Sequence, residues 1–158
     1  MCDQHKFVFE FDKAYNSQLV EKFEASPEHA LTEDVAPPDA GVYALYRNGK
    51  LVYTGRALQR MTLRRRLAEH ARKIDSRQNI HLGEMSCRFL VIEGSWFVRA
   101  AEDALINYYT PEWNRSGVGG HVPGIGRPGK YVSKWDSDFP PRQGYVKRKR
   151  GKKSPPES

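Results

Sequence analysis

The stretch from residue 41 to residue 55, GVYALYRNGKLVYTG, constrains the fold more than any other part of the chain. Two short apolar runs, containing Tyr43 and Tyr53, flank the dipeptide Asn48-Gly49. Asn-Gly between two apolar runs is the strongest short-range signal for a β-hairpin, because both residues tolerate the positive φ of a tight turn. The sequence therefore predicts a hairpin that carries one tyrosine on each strand.

The length of the hairpin loop decides whether the two tyrosines share a face of the sheet. A two-residue loop would place Tyr43 and Tyr53 on opposite faces, because side chains alternate along a strand. A three-residue loop, which pairs Arg47 with Leu51, would place both on one face. If both tyrosines serve one site, the loop must have three residues, with Gly49 left-handed and forming a bulge, and we predict that register.

Downstream of the hairpin, hydrophobic periodicity predicts a helix, a strand and a second helix. Residues 62–74 form a basic amphipathic pattern, residues 86–92 are mostly apolar, and the helical pattern of residues 95–109 ends before Pro111. The order ββαβα predicts an α+β fold. We expect a small α/β sandwich, with a three-stranded, largely antiparallel sheet flanked by helices and an N-terminal strand–helix extension.

Composition divides the chain into four segments. Its 158 residues and 39% hydrophobic content fit one domain with tails. We expect an N-terminal extension over residues 1–40 (a strand at 5–11, a helix at 17–25 and a polar linker), a core over 41–114, a loop-rich segment over 115–145 and a basic disordered tail over 146–158.

The net charge of +7 is unevenly distributed. Residues 56–77 carry eight basic and two acidic side chains, and residues 147–158 carry six and one. This distribution favours a local phosphate-binding surface. A solvated helix face with a solubilising tail is the alternative.

The sequence also indicates where the protein works. It has neither a membrane-length apolar run nor a signal-peptide pattern, so we expect no membrane association. Cys2 and Cys87 form no CxxC pair, which is typical of reduced thiols and favours a cytoplasmic protein. The five histidines show no metal-ligand spacing.

Residues 124–130, GIGRPGK, match two nucleotide-binding patterns by letter. We reject both readings, because no apolar strand precedes the match and no helical pattern follows it. A loop that brings Arg127 and Lys130 to DNA is the functional reading. A surface crossover without a ligand is the alternative.

Three polar side chains stand out near apolar helix faces. Arg66 and His70 are spaced i, i+4, so they share a face at the edge of the buried stripe. A basic surface helix with an incidental histidine is the alternative. Glu102 lies in an otherwise apolar helix, where a carboxylate needs a partner. That partner is either an arginine, Arg66 or Arg99, or a divalent metal.

The ordered set of these residues resembles the GIY-YIG nuclease superfamily, and most closely its type II restriction endonuclease branch. The resemblance spans residues 41–114, about half of the chain. Val42 replaces the isoleucine of the first tripeptide, which is a conservative change, and Thr54 replaces the aliphatic residue of the second with a hydroxyl side chain. The matching residues are Gly41-Val42-Tyr43, Tyr53-Thr54-Gly55, Arg66, His70, Glu102 and Asn114.

The resemblance implies hydrolysis of phosphodiester bonds in double-stranded DNA. It implies that Glu102 binds Mg²⁺, or another divalent metal such as Mn²⁺, and that Arg66 binds the phosphate. Tyr43 would activate water, with His70 accepting the phenolic proton. Tyr53 would bind the phosphate or the water, and Asn114 would fix neighbouring groups. We further expect DNA contacts from Arg56, Arg127 and Lys130.

A short palindromic target implies a homodimer, and a restriction enzyme implies a cognate DNA methyltransferase. Two alternatives remain open at the level of sequence. One is a GIY-YIG nuclease of the repair or mobile-element type. The other is a non-catalytic nucleic-acid-binding module that uses the basic helix and tail.

Overall fold

A computed structural model describes residues 10–115 and 133–144. Its centre is one four-stranded sheet in the order β1-β4-β2-β3, in which every neighbouring pair is antiparallel. The strands are β1 (His29–Ala30), β2 (Gly41–Arg47), β3 (Lys50–Ala57) and β4 (Met85–Val91), and the helices are α1 (Phe11–Glu24), α2 (Leu63–Asp75), α3 (Ser95–Tyr109) and α4 (Lys134–Asp138). Short 3₁₀ turns lie at Leu82–Glu84 and Glu112–Arg115.

The predicted fold class is confirmed, because the hairpin, α2, β4 and α3 follow one another in the order ββαβα. The sheet has four strands rather than the predicted three. The additional strand, β1, lies within the segment predicted as a linker and pairs with the outer edge of β4. Leu31 explains why this polar segment is held in place, since its side chain is buried in the core and its N–H donates to Met85 O.

The N-terminal extension differs from the prediction. Most of the predicted strand over residues 5–11 lies outside the described residues, but Phe11 already belongs to α1, so its assignment to a strand is wrong. Phe11 and Tyr15 lie one helical turn apart and their rings stack at 5.4 Å between centroids. The helical spacing of these aromatics thus extends α1 six residues before the predicted start at residue 17.

The hairpin turn itself contradicts the predicted loop. Arg47 pairs with Lys50, so the loop is the two-residue turn Asn48-Gly49. Both loop residues have positive φ, 49° for Asn48 and 79° for Gly49, as a tight turn of primed type requires. The prediction that Arg47 pairs with Leu51 is therefore wrong.

A β-bulge nevertheless restores the predicted alignment of the tyrosines. Tyr46 pairs with Leu51, but Leu45 pairs with Tyr53, so Val52 is an extra residue on β3. Beyond the bulge, Tyr43 lies opposite Gly55. Tyr43 and Tyr53 consequently point to the same face, and their ring centroids are 6.1 Å apart. The extra residue that brings both tyrosines to one face therefore lies within β3, at Val52, and not in the turn.

Two hydrophobic clusters cover the two faces of the sheet. The face that carries both tyrosines packs against α2, whose buried stripe includes Leu63, Leu67 and Ile74. The opposite face packs against α1 and α3, with Phe23 and Val98 fully buried. Helices on both faces bury the sheet, and β3 is the edge strand that lies beside α3.

The described end of the predicted loop-rich segment contains the short helix α4. Ser133 caps this helix, because its Oγ accepts a hydrogen bond from Asp136 N. Trp135 and Phe139 are buried beside Trp113, in the same cluster as the two tyrosines. Residues 133–144 thus contribute to the core, and the division of the chain at residue 114 stays a prediction.

None of the helices formed by residues 10–115 and 133–144 has both the length and the apolar character that crossing a membrane requires.

Gly55 offers a direct test of the hairpin packing. A Cβ at this position would lie 2.6 Å from Tyr43 Oη and 2.9 Å from Tyr53 Cε1. We expect Gly55→Ala to lower the free energy of unfolding by about 1–3 kcal/mol, because the rings must shift to accept the methyl group. Urea denaturation measures the change.

Gly83→Ala is the control, since no atom lies within 4 Å of its added Cβ. It should change the free energy of unfolding by no more than about 0.5 kcal/mol. Equal stabilities for the two variants would contradict the described packing of Tyr43 against Gly55.

Candidate active site

Tyr43 and His70 form the buried centre of the candidate site. Tyr43 projects from the middle of β2, and His70 lies on the face of α2 that packs against the sheet. Tyr43 Oη lies 2.9 Å from His70 Nε2. This contact is the hydrogen bond that a proton relay between the two residues would need.

Tyr53 completes a group of three rings. Its ring centroid lies 6.1 Å from that of Tyr43 and 5.2 Å from that of His70. Tyr53 is 7% exposed, whereas Tyr43 is 2% exposed, so Tyr53 lies slightly closer to solvent. The structure therefore brings together the two tyrosines and the histidine that the sequence selected.

Burial determines the protonation states in this group. It raises the pKa of Tyr43 well above the usual value of 10.0, and the neighbouring Tyr53 adds to that rise. Burial also lowers the pKa of His70 to about 3, with smaller contributions from the cations Lys73 and Arg66. At neutral pH the phenol thus keeps its proton and the imidazole is uncharged. In the tautomer protonated at Nδ1, Tyr43 O–H donates to His70 Nε2.

Glu102 lies on α3 and pairs with Arg56 of β3. Arg56 Nη1 is 2.6 Å from Glu102 Oε2, and the Glu102 side chain is 17% exposed. The arginine partner is thus neither Arg66 nor Arg99, the two that sequence spacing suggested. Burial raises the pKa of Glu102, and the charge of Arg56 opposes that rise.

Arg66 lies at the exposed rim of the site. Its Nη1 is 3.8 Å from Glu69 Oε2, one helical turn along α2, and 44% of its side chain is exposed. Burial raises the pKa of both Tyr43 and Tyr53, and the positive charge of Arg66 opposes that rise. Arg66 is therefore a partly exposed cation beside a buried group, which is a position suited to an incoming phosphate.

Asn114 fixes the strand segment between Tyr53 and Gly55. Its Oδ1 accepts a hydrogen bond from Thr54 N at 2.9 Å, and its Nδ2 donates to Thr54 O at 2.8 Å. Because β3 is an edge strand, these backbone groups have no neighbouring strand on that side. Asn114 satisfies them and holds the register of the segment that carries Tyr53.

The described residues offer a single carboxylate where a metal would bind. They contain no group of three or more histidine, cysteine, aspartate or glutamate side chains that could hold an ion. Glu102 fits a hard divalent cation that takes its remaining ligands from phosphate oxygens and water, as Mg²⁺ often does. Arg127 and Lys130, which were predicted to contact DNA, lie outside the described residues.

Two features of the site were not recognised from the sequence. Arg56 was selected only as a DNA contact, although strand alternation places it on the face of β3 opposite to Tyr53 and toward α3. Gly55 leaves the space beside its Cα to the hydroxyl of Tyr43, a packing role that was not predicted. Gly55 follows Tyr53 by two residues, and this spacing was the signal that the two share a face of the strand.

Comparison with known families gives one match, the Eco29kI GIY-YIG domain, over residues 53–156. The match covers more than half of the chain. It includes Tyr53, Arg66, His70, Glu102 and Asn114, and it begins after the tripeptide that contains Tyr43. The comparison with curated proteins gives no match.

The sheet, the two tyrosines and the family match define a GIY-YIG nuclease domain. Within that class, the chain belongs to the Eco29kI family, whose GIY-YIG domain is of the restriction endonuclease type. GIY-YIG nucleases generally use divalent metals, and a nuclease domain implies DNA binding.

The buried, neutral His70 makes stability depend on pH. Burial lowers its pKa in the folded protein to about 3, from the usual value of 6.5. As the pH falls from 6.5 toward 3, the unfolded chain therefore binds a proton that the folded protein does not. We expect this residue to lower the free energy of unfolding by roughly 1.4 kcal/mol per pH unit over that window.

Urea denaturation of the wild type and of His70→Gln at pH 7, 6, 5 and 4 measures the slope. The variant should show the shallower dependence, and the matched variant of an exposed histidine, His81→Gln, should keep the wild-type slope. Identical slopes for all three proteins would contradict the burial of a neutral His70.

Proposed function

We propose that the protein is a type II restriction endonuclease. It hydrolyses phosphodiester bonds at short palindromic sites in double-stranded DNA, with one divalent metal, Mg²⁺ or Mn²⁺, per active site. The family match supports the nuclease class. The observation that carries the proposal is the 2.9 Å contact between Tyr43 Oη and His70 Nε2, which joins a phenol to a proton acceptor in a buried site.

Tyr43 alone is a poor base, because its raised pKa keeps the phenol protonated at neutral pH. His70 removes this obstacle by accepting the phenolic proton at Nε2 while Tyr43 Oη takes a proton from water. The resulting hydroxide attacks the phosphorus, the bond from phosphorus to the 3′ oxygen breaks, and that oxygen takes a proton from solvent water. An approaching phosphodiester favours this transfer, because its negative charge stabilises the imidazolium that burial and nearby cations otherwise disfavour.

The remaining charges are arranged around this pair. Arg66, at the exposed rim, neutralises the non-bridging phosphate oxygens. Tyr53 donates a hydrogen bond to the phosphate or orients the water, and Asn114 holds the strand that positions Tyr53. A divalent metal held by Glu102 would supply further neutralisation of the phosphate and of the leaving oxygen.

The proposal has consequences for assembly. A palindromic site presents two equivalent strands, so a homodimer with twofold symmetry would cut both. Arg56, Arg127 and Lys130 would contact the DNA. A restriction enzyme in the cytoplasm endangers its own chromosome, so a cognate DNA methyltransferase would protect the same sites.

Cleavage of plasmid DNA tests the proposed function. We expect discrete fragments in Mg²⁺ and no cleavage in excess EDTA. Glu102→Gln should lower the cleavage rate by at least about 100-fold while DNA binding persists, because it removes the metal ligand but not the DNA-contacting surface.

Glu84→Gln is the matched control, since Glu84 is also a partly buried glutamate paired with an arginine, at 2.9 Å. It should keep the cleavage rate within a few-fold of the wild type. A smear in place of fragments would exclude site-specific restriction. Salt-sensitive DNA binding without cleavage in any divalent metal would instead indicate a binding module.

A further inference from the structure

The ion pair between Arg56 and Glu102 joins the edge strand β3 to α3. Arg56 Nη1 is 2.6 Å from Glu102 Oε2, a length typical of a strong charge-assisted hydrogen bond. The Glu102 side chain is 17% exposed and that of Arg56 is 37% exposed. The carboxylate is thus mostly enclosed, whereas the guanidinium still reaches solvent.

This contact conflicts with metal binding at the same carboxylate. The guanidinium occupies one of the two oxygens that a divalent cation would use. It also places a positive charge within a few ångströms of any ion at the other oxygen, where the repulsion in a partly enclosed site is substantial. The arginine and the metal therefore compete for Glu102.

We propose that Arg56 is the resident counter-cation of Glu102, which a divalent metal displaces, and that the displaced guanidinium then binds the DNA phosphate backbone. This inference rests on the proposed function, in which Glu102 is the metal ligand. It couples the two binding events, because DNA stabilises the displaced arginine and so strengthens metal binding. Metal without DNA would bind weakly.

An arginine at position 56 can bind both proposed partners, the Glu102 carboxylate and the DNA phosphate. A guanidinium carries five N–H donors in a rigid fork, so it can pair with a carboxylate and then with a phosphate. Arg66, the other arginine at the site, contacts Glu69 at 3.8 Å and is less suited to hold Glu102.

Mn²⁺ binding to the full-length, DNA-free protein tests the displacement, with electron paramagnetic resonance measuring the free ion. We expect Arg56→Gln to bind Mn²⁺ about tenfold more tightly than the wild type, because the competing charge is removed. Arg72→Gln is the matched control. Arg72 is also a partly exposed arginine paired with a glutamate, Glu33, at 3.0 Å, and its loss should leave the affinity unchanged.

Glu102→Gln separates this inference from the proposed function. Loss of Mn²⁺ binding in Glu102→Gln, together with tighter binding in Arg56→Gln, supports both. If Glu102→Gln abolishes binding while Arg56→Gln leaves the affinity unchanged or weaker, the inference is overturned and the proposed metal ligand stands. If Glu102→Gln binds Mn²⁺ as well as the wild type does, Glu102 is not the ligand and both are overturned.

The transfer of Arg56 to DNA has its own measurement, which does not depend on metal. Glu102→Gln releases Arg56, so without metal this variant should bind a mixed-sequence duplex with a log K against log [salt] slope that is steeper than the wild-type slope by about one. Adding Arg56→Gln to Glu102→Gln should remove that increase. If the double variant keeps the steeper slope of Glu102→Gln, the role of Arg56 as a phosphate contact is overturned.

Discussion

The single extra residue Val52 is the constraint on which the site depends. Side chains alternate along a strand, so the two-residue Asn48-Gly49 turn by itself would place Tyr43 and Tyr53 on opposite faces of the sheet. The bulge at Val52 shifts the pairing by one residue, and both rings then face α2 and His70. Gly55 leaves room for the hydroxyl of Tyr43, and Asn114 holds the backbone of the edge strand in that register. The hairpin is thus organised around the contact between the two strands' tyrosines.

The site combines a neutral interior with a charged rim. In the interior, Tyr43 and His70 share a hydrogen bond, and burial keeps both uncharged. At the rim, Arg66 is loosely paired with Glu69, whereas Arg56 holds Glu102 tightly. Such a site is stable without substrate, because each charge has a partner or solvent. When a phosphate binds, the ion pairs and the protonation of His70 change, because the phosphate competes for the arginines and stabilises a protonated histidine.

Hydrophobic periodicity and Asn-Gly chemistry predicted the core order ββαβα and the hairpin. The shared face of the two tyrosines was predicted only because the resemblance requires both in one site. The sequence did not show which residue shifts the pairing of the two strands, since a bulge at Val52 and a three-residue loop both place Tyr43 opposite Gly55. It also missed β1, whose two residues, His29 and Ala30, are exposed and show no alternation. The pairing of Glu102 with Arg56 depends on how α3 packs beside the edge strand, and local sequence does not encode that.

The central claim is that the shared face of the hairpin, rather than the presence of tyrosines as such, makes the site hydrolytic. Tyr43 and Tyr46 lie on the same strand, but Tyr46 packs with the cluster on the opposite face. The most direct measurement is the single-turnover cleavage rate of Tyr43→Phe and Tyr46→Phe at saturating metal and enzyme. The account predicts a loss of at least about 100-fold for Tyr43→Phe and a rate within a few-fold of the wild type for Tyr46→Phe. Equal rates for the two variants, or full activity of Tyr43→Phe, would contradict it.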